Sequence, residues 1–330
     1  MENKRKLVLD AFNNLPVPRV PVGFRFHFTG EHPVQSVYQN SEMRDINIQG
    51  HKKFVETYHP DFIKIMSDGY FFEPETEKIL QEVKGVADLE KVKLLDEHDK
   101  WIEDQASLVK ELTDTFGGEI LSFYNIFAPA TSLKWMVGGD EKLADLIQED
   151  KEIVRDTLNI IAQNTSKLVN AIIHKGNADG IYLSAQMIQD SRISSDVYRE
   201  IISPTEISVL KDANEFWGIN ILHVCGYKGA KNDLNIFADY PVKAISFASV
   251  VEGVSLSEGK KIFAGKTVIW GFENTKQGIL YRGTKEEIQK ETKRILTESG
   301  KIGIVLGADC TVPMDIDCNR FEWVREAAKS

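Results

Sequence analysis

Cysteine is scarce in this sequence: three residues in 330, Cys225, Cys310 and Cys318. Three scattered thiols cannot build a disulfide framework, so each serves metal binding, chemistry or packing. Long apolar runs are also missing. None approaches the roughly 20 residues a helix needs to cross a bilayer. The charged opening, Met1 to Leu9, has no apolar signal-peptide core, so the expectation is a cytoplasmic protein with no membrane partner. Positive charge is in deficit, 40 Lys and Arg against 50 Asp and Glu, a net −10. Phosphate contacts need clustered cations, so no nucleic-acid partner is expected. No proline-, glycine- or serine-rich linker, repeat or low-complexity stretch divides the chain, which predicts one domain over residues 1–330.

What is present is an alternation. Short segments rich in Val, Ile, Phe and Leu read as strands at Val20–Phe28, Phe62–Ser67, Glu119–Phe127, Asp179–Ser184, Asn220–Cys225, Ala244–Ala248, Thr267–Gly271 and Ile302–Leu306. Between them lie helical patterns: two amphipathic helices from Asp140 to Lys175, another from Ser195 to Phe216, and one from Thr284 to Ser299. The last opens with Thr284 and Glu287, a capping-box spacing. Eight strands separated mostly by helices predict an α/β fold, a (β/α)8 TIM barrel. An open doubly wound sheet is the runner-up, but no G-x-G-x-x-G follows any strand. The charged, irregular stretch from Phe71 to Gln105 reads as an insertion of helices and a loop after the second strand.

In such a barrel the chemistry sits at the C-terminal ends of the strands. The fifth predicted strand ends in "ILHVCG", where His223 and Cys225, two apart, share a face. The eighth ends in "IVLGADC", bringing Cys310 to the same mouth. One imidazole and two thiolates are a normal zinc set, and three protein ligands leave a fourth position open, as catalytic sites do. The competing reading is buried cysteines at a barrel end. Strands five and eight are not neighbours, so the loop after Gly307 must reach inward. Cys318, past Pro313, is expected on the last helix in a packing role.

Asp68 ends the second strand, a place for a general acid or a charge stabiliser. A helix N-cap is the alternative. Gln186 and Glu273 occupy comparable places on the fourth and seventh strands and are weaker catalytic candidates. Arg25 and His27 at the end of the first strand, with Tyr70, Tyr124 and nearby phenylalanines, suggest an aromatic-lined mouth that binds substrate. For each aromatic taken singly, barrel core or helix–barrel packing is the more common role.

The stretches "RVPVG", "PATSLKWM", "GNADGIYLSAQ", "ILHVCG", "VIWGFENTKQGILYRGTKEEIQKETKRIL" and "GADCTVPMDIDCNRF" resemble the uroporphyrinogen decarboxylase superfamily over nearly the whole chain. The resemblance implies the barrel fold and a choice between two activities. One branch contains corrinoid-linked zinc methyltransferases with a His-x-Cys…Cys motif, which His223, Cys225 and Cys310 match. The other contains metal-independent decarboxylases, whose arginine-rich N-terminal signature holds the porphyrinogen carboxylates. Here that stretch reads "GFRFHFTGEH", with Arg25 alone as a guanidinium. An octacarboxylate needs several cationic partners. Asp68 does match the position of the decarboxylase catalytic aspartate. The resemblance thus implies a zinc methyltransferase working with a corrinoid carrier protein and a small substrate, a thiol or a methyl ether or amine. The alternatives are uroporphyrinogen decarboxylation and a non-catalytic barrel that binds a tetrapyrrole or corrinoid.

Overall fold

The computed structural model describes residues 2–30 and 35–329. Seven strands form one parallel sheet in chain order: β1 Phe62–Ile65, β2 Leu121–Phe127, β3 Gly180–Ala185, β4 Ile221–Val224, β5 Ala244–Phe247, β6 Thr267–Phe272 and β7 Ile304–Ala308. All six neighbouring pairs are parallel. Parallel neighbours need crossovers, which the helices supply. No helix among the described residues is long and apolar enough to cross a membrane.

The predicted first strand, Val20–Phe28, behaves differently. It makes a single bridge, Val22 to Leu306. Gly23 N donates to Leu306 O at 2.8 Å and Leu306 N to Pro21 O at 2.9 Å. Toward β1 no ladder forms. Instead the carboxylate of Asp61 accepts from Val22 N at 2.7 Å, and that of Asp68 from Phe28 N at 3.1 Å. Arg19 holds Asp61 in place at 2.6 and 2.7 Å. The sheet therefore curls until one segment touches both of its edges, with side chains fastening the second seam. A Cβ on Gly307 would lie 2.7 Å from Gly23 O, so only glycine permits this approach.

Strand alternation sorts the residues into two layers. Phe62, Leu121, Phe123, Tyr182, Ile221, Ala244, Ile269 and Val305 cluster inside the curl with Val8, Ala11 and Phe12. The helix Lys4–Phe12 thus closes the N-terminal end. Thr267 Oγ1 donates to Ala11 O at 2.8 Å and seals its last turn. The opposite strand faces pack against the outer helices in a second, larger cluster.

The expected helices from Asp140 to Lys175 are Asp140–Glu149 and Lys151–His174. The capping box at Thr284 and Glu287 opens the helix Lys285–Ser299. The stretch from Phe71 to Gln105 holds the helix Pro74–Gln81, a 3₁₀ turn Val86–Lys91 and the first turns of the helix Lys100–Phe116.

Candidate metal centre

Two residues beyond the apolar layer, the inward face changes chemistry. Phe62 is followed by Lys64, Phe123 by Asn125, Tyr182 by Ser184, Ile221 by His223 and Ala244 by Ser246. All five polar residues are buried. They bond to one another where they can. Ser184 Oγ donates to Asn125 Oδ1 at 2.9 Å, and Asn125 Nδ2 donates to Ser67 Oγ at 2.9 Å.

His223 is the last but one residue of β4 and lies within this layer. Cys225 follows two residues later, and Gly226 turns the chain away; a Cβ there would meet Ala248 Cβ at 2.5 Å. Cys310 lies two residues past the end of β7, which is not a neighbour of β4 in the sheet. Even so, one ligand atom from each of His223, Cys225 and Cys310 lies within 4.8 Å of the others. His223 Nε2 is 3.8 Å from Cys310 Sγ. Among the described residues this is the one such group of three. Cys318 is not in it: the residue precedes the helix Asn319–Ala327, and its Sγ donates to Ile316 O at 3.4 Å.

Burial, followed by the positive charge of Arg25, pushes His223 down to about 4, so the imidazole is neutral at neutral pH. A neutral imidazole is the ligating form. The two thiols are coupled in opposite directions. Cys225 donates to Cys310 and is held protonated by that bond and by burial. Cys310 becomes the acidic one, as acceptor from Cys225 and His223 beside Arg25. The guanidinium of Arg25 lies inside the curl. It donates to Tyr182 OH at 2.9 Å and to Asp309 O at 3.3 Å, and lies 3.4 Å from His223 Nδ1. Ser246 Oγ lies 3.2 Å from the same nitrogen.

A second polar corner sits across the mouth. Fully buried Asp68 holds His27 Nδ1 at 2.7 Å and also accepts from Thr29 Oγ1 at 3.3 Å. His27 stands edge-on to Phe71, which stacks on Phe127 at 4.8 Å.

The sequence profile described as Uroporphyrinogen decarboxylase (URO-D) matches residues 3–330. The chain belongs to the uroporphyrinogen decarboxylase family. No curated protein matches it in sequence. Among solved structures, a methyltransferase from Methanosarcina mazei is similar in fold, with a TM-score of 0.75 at 14% identity, covering 99% of this chain and 98% of that one. A B12-independent methionine synthase from Shewanella sp. W3-18-1, in complex with selenomethionine, has a TM-score of 0.53 at 13% identity, covering 94% and 97%. At such identities the likeness is one of fold.

In this member of the uroporphyrinogen decarboxylase family the other sequence candidates fall in different places. Gln186 is buried beside Cys225, and both ends of its amide are engaged. Glu273 is half-buried on the rim, where its carboxylate accepts from Thr275 Oγ1. Tyr70 is buried 6.1 Å edge-on to Tyr38, and burial pushes its phenol up to about 12. Tyr124 does not face the mouth. Its neighbours Phe123 and Asn125 point inward, so alternation turns Tyr124 outward, where its hydroxyl donates to Gln105 Oε1 at 2.8 Å. Substrate contact by Tyr124 is corrected accordingly.

Four residues of this region escaped the sequence reading. Lys64 interrupts the apolar run "FIKI", a signal that was available. Its ammonium lies 4.3 Å over the Tyr182 ring, and burial, then Arg25, lowers it to about 7. Tyr182 and Ser246 gave no signal, because one such residue in a strand is ordinary. Asp309 is adjacent to Cys310 and accepts from Val250 N at 3.1 Å; burial raises it to about 8.

Proposed function

We propose that this chain is a zinc-dependent methyltransferase that exchanges a methyl group between a small substrate and a corrinoid carried by a partner protein. The reading takes the chain as one (β/α)8-like cytoplasmic domain. One observation carries it: His223, Cys225 and Cys310, far apart in sequence, converge at the strand ends. Tetrahedral zinc holds nitrogen and sulfur ligands roughly 3.6–3.8 Å apart. The 3.8 Å between His223 Nε2 and Cys310 Sγ fits, and the 4.8 Å bound on the whole group needs only a small contraction. The Methanosarcina mazei structure carries a methyltransferase name, which agrees with methyl transfer; the methionine synthase is B12-independent and lends no support to a corrinoid.

Zinc held there would supply Lewis acidity, to acidify a substrate thiol or to polarise a methyl ether or amine. The surrounding residues have separable tasks. Ser246 Oγ, 3.2 Å from His223 Nδ1, fixes the ring so that Nε2 faces Cys310 and the metal position. Arg25, fixed by Tyr182 and the Asp309 carbonyl, keeps a positive charge beside the thiols. Asp68, poised on His27, is placed to hold or give a proton, and Glu273 is a candidate for the rim. Phe71, Phe72 and Phe127 give the mouth an aromatic wall that suits a small methoxy-aromatic or similar compound.

Asp68 and the family name favour one rival, uroporphyrinogen decarboxylation without metal. The position of Arg25 opposes it, because the guanidinium is turned inward and engaged, with no free clamp for an octacarboxylate. Elemental analysis should find about one zinc per chain. A screen of methylated compounds and thiols should show exchange with a corrinoid protein, and uroporphyrinogen should remain unreacted. Metal-free protein from a zinc-replete preparation, together with coproporphyrinogen as product, would overturn the reading.

A further inference from the structure

The half of the mouth around β3 and β4 contains a buried cation with an unusual first partner. Lys134, on the helix Pro129–Val137, is 1% exposed. Its ammonium does not meet a carboxylate first. It donates to the amide oxygen of Gln186 at 2.6 Å, and Asp140 stands behind at 3.3 Å. Burying an ammonium is costly unless it is well bonded, so this contact requires a reason.

The reason lies in the amide's other end. An ammonium only donates, so it can be satisfied only by the oxygen of Gln186. That fixes which way the amide faces. Its nitrogen then points at two carbonyls of the loop leaving β4, Cys225 O at 3.3 Å and Tyr227 O at 3.1 Å. The Cys225 carbonyl receives a second donor, Asn232 Nδ2, at 3.2 Å. Asn232 is itself oriented by Glu252, which accepts from its Nδ2 at 2.7 Å and its backbone N at 3.0 Å. Cys225 N is tied to Ala185 O on β3 at 2.8 Å. The peptide groups on both sides of the Cys225 side chain are thus held from three directions.

We propose that Lys134 and Gln186 are positioning residues for Cys225: the ammonium sets the sense of the Gln186 amide, and the amide clamps the loop so that Cys225 Sγ faces His223 and Cys310. This replaces a catalytic role for Gln186, which touches no reacting group. The inference rests on the metal reading of the site. Lys134→Met removes the charge that orients the amide. Gln186→Glu replaces the donor with a second acceptor facing the two carbonyls. Lys134→Arg keeps a donor and serves as the conservative control.

The test measures zinc affinity by chelator competition on the full chain, together with the absorption spectrum of the cobalt(II)-substituted protein, which reports thiolate number and geometry. Thermal melts of the metal-free variants report folding. Outer partners of metal ligands typically govern affinity by about 10–100-fold. Lys134→Met and Gln186→Glu should weaken zinc by that order and alter the cobalt spectrum, while Lys134→Arg stays near wild type. If Gln186→Glu does not fold, Lys134→Met decides alone. Wild-type affinity and an unchanged spectrum in Lys134→Met would overturn the clamp while leaving the metal site standing. A wild-type chain that binds neither zinc nor cobalt would overturn the metal reading, and the clamp with it.

Discussion

The two ends of the same strands differ by only two residues in sequence, and they do opposite work. At the N-terminal end, Phe62, Phe123, Tyr182 and Ile221 pack on Phe12 and Val8 in one apolar cluster. One step along the same faces come Lys64, Asn125, Ser184 and His223, buried but polar, and then the two thiols at the mouth. The apolar end supplies the stability that lets the polar end carry costly groups. The cost of burying the Arg25 guanidinium and the Lys64 amine is offset by that apolar packing. Stability and chemistry are thus separated along each strand, not assigned to different strands.

Three measurements break or sharpen this contrast. The largest effect falls at the mouth. Cys310→Ala should abolish stoichiometric zinc, as elemental analysis would show, while the metal-free variant unfolds in urea at nearly the wild-type midpoint. A collapse of the fold would mean that the two ends are not separable. Next comes the apolar end. Phe123→Ala, fully buried against Phe12 and Phe62, should cost about 3–5 kcal/mol of stability, and at low temperature should still bind zinc. Loss of metal in the folded variant would contradict the division of labour.

The smallest effect is electrostatic. Lys64 is lowered from 10.5 to about 7 in the folded chain. Between those values the unfolded chain holds a proton that the folded chain lacks, so this group makes stability rise with pH across that window. Lys64→Met should be more stable than wild type near pH 7, and the difference should shrink toward 10.5. Parallel urea titrations of the two proteins give that difference. A difference independent of pH would show that Lys64 keeps an ordinary ammonium, contrary to its place in the polar layer.

Much of this organisation is legible in the sequence. Seven of the eight expected strand segments form the ladder, because short β-branched and aromatic runs between helices leave little choice of partner. The eighth, Val20–Phe28, has the same alternation but gains one bridge. Pro21 has no N–H to give, and the amides of Val22 and Phe28 are met by Asp61 and Asp68, side-chain substitutes that periodicity does not reveal. Tyr124 went astray for a related reason. A strand displays both faces, and only its neighbours Phe123 and Asn125 show which side the mouth is on. The grouping of His223, Cys225 and Cys310 was legible because strand ends are where a barrel keeps its chemistry, and because soft donors are rare in this chain.

The sequence by itself determined the alternation of strands and helices, the faces of each strand and the identity of the soft donors, since each is a local property of residue type and spacing. It could not determine distance. That Cys310 meets His223 and Cys225 from a strand that is not their neighbour, that Arg25 turns inward, and that Lys134 orients an amide behind Cys225 follow only from the curl of the sheet. A curl is set by register and twist summed over seven strands, and no segment carries that sum on its own.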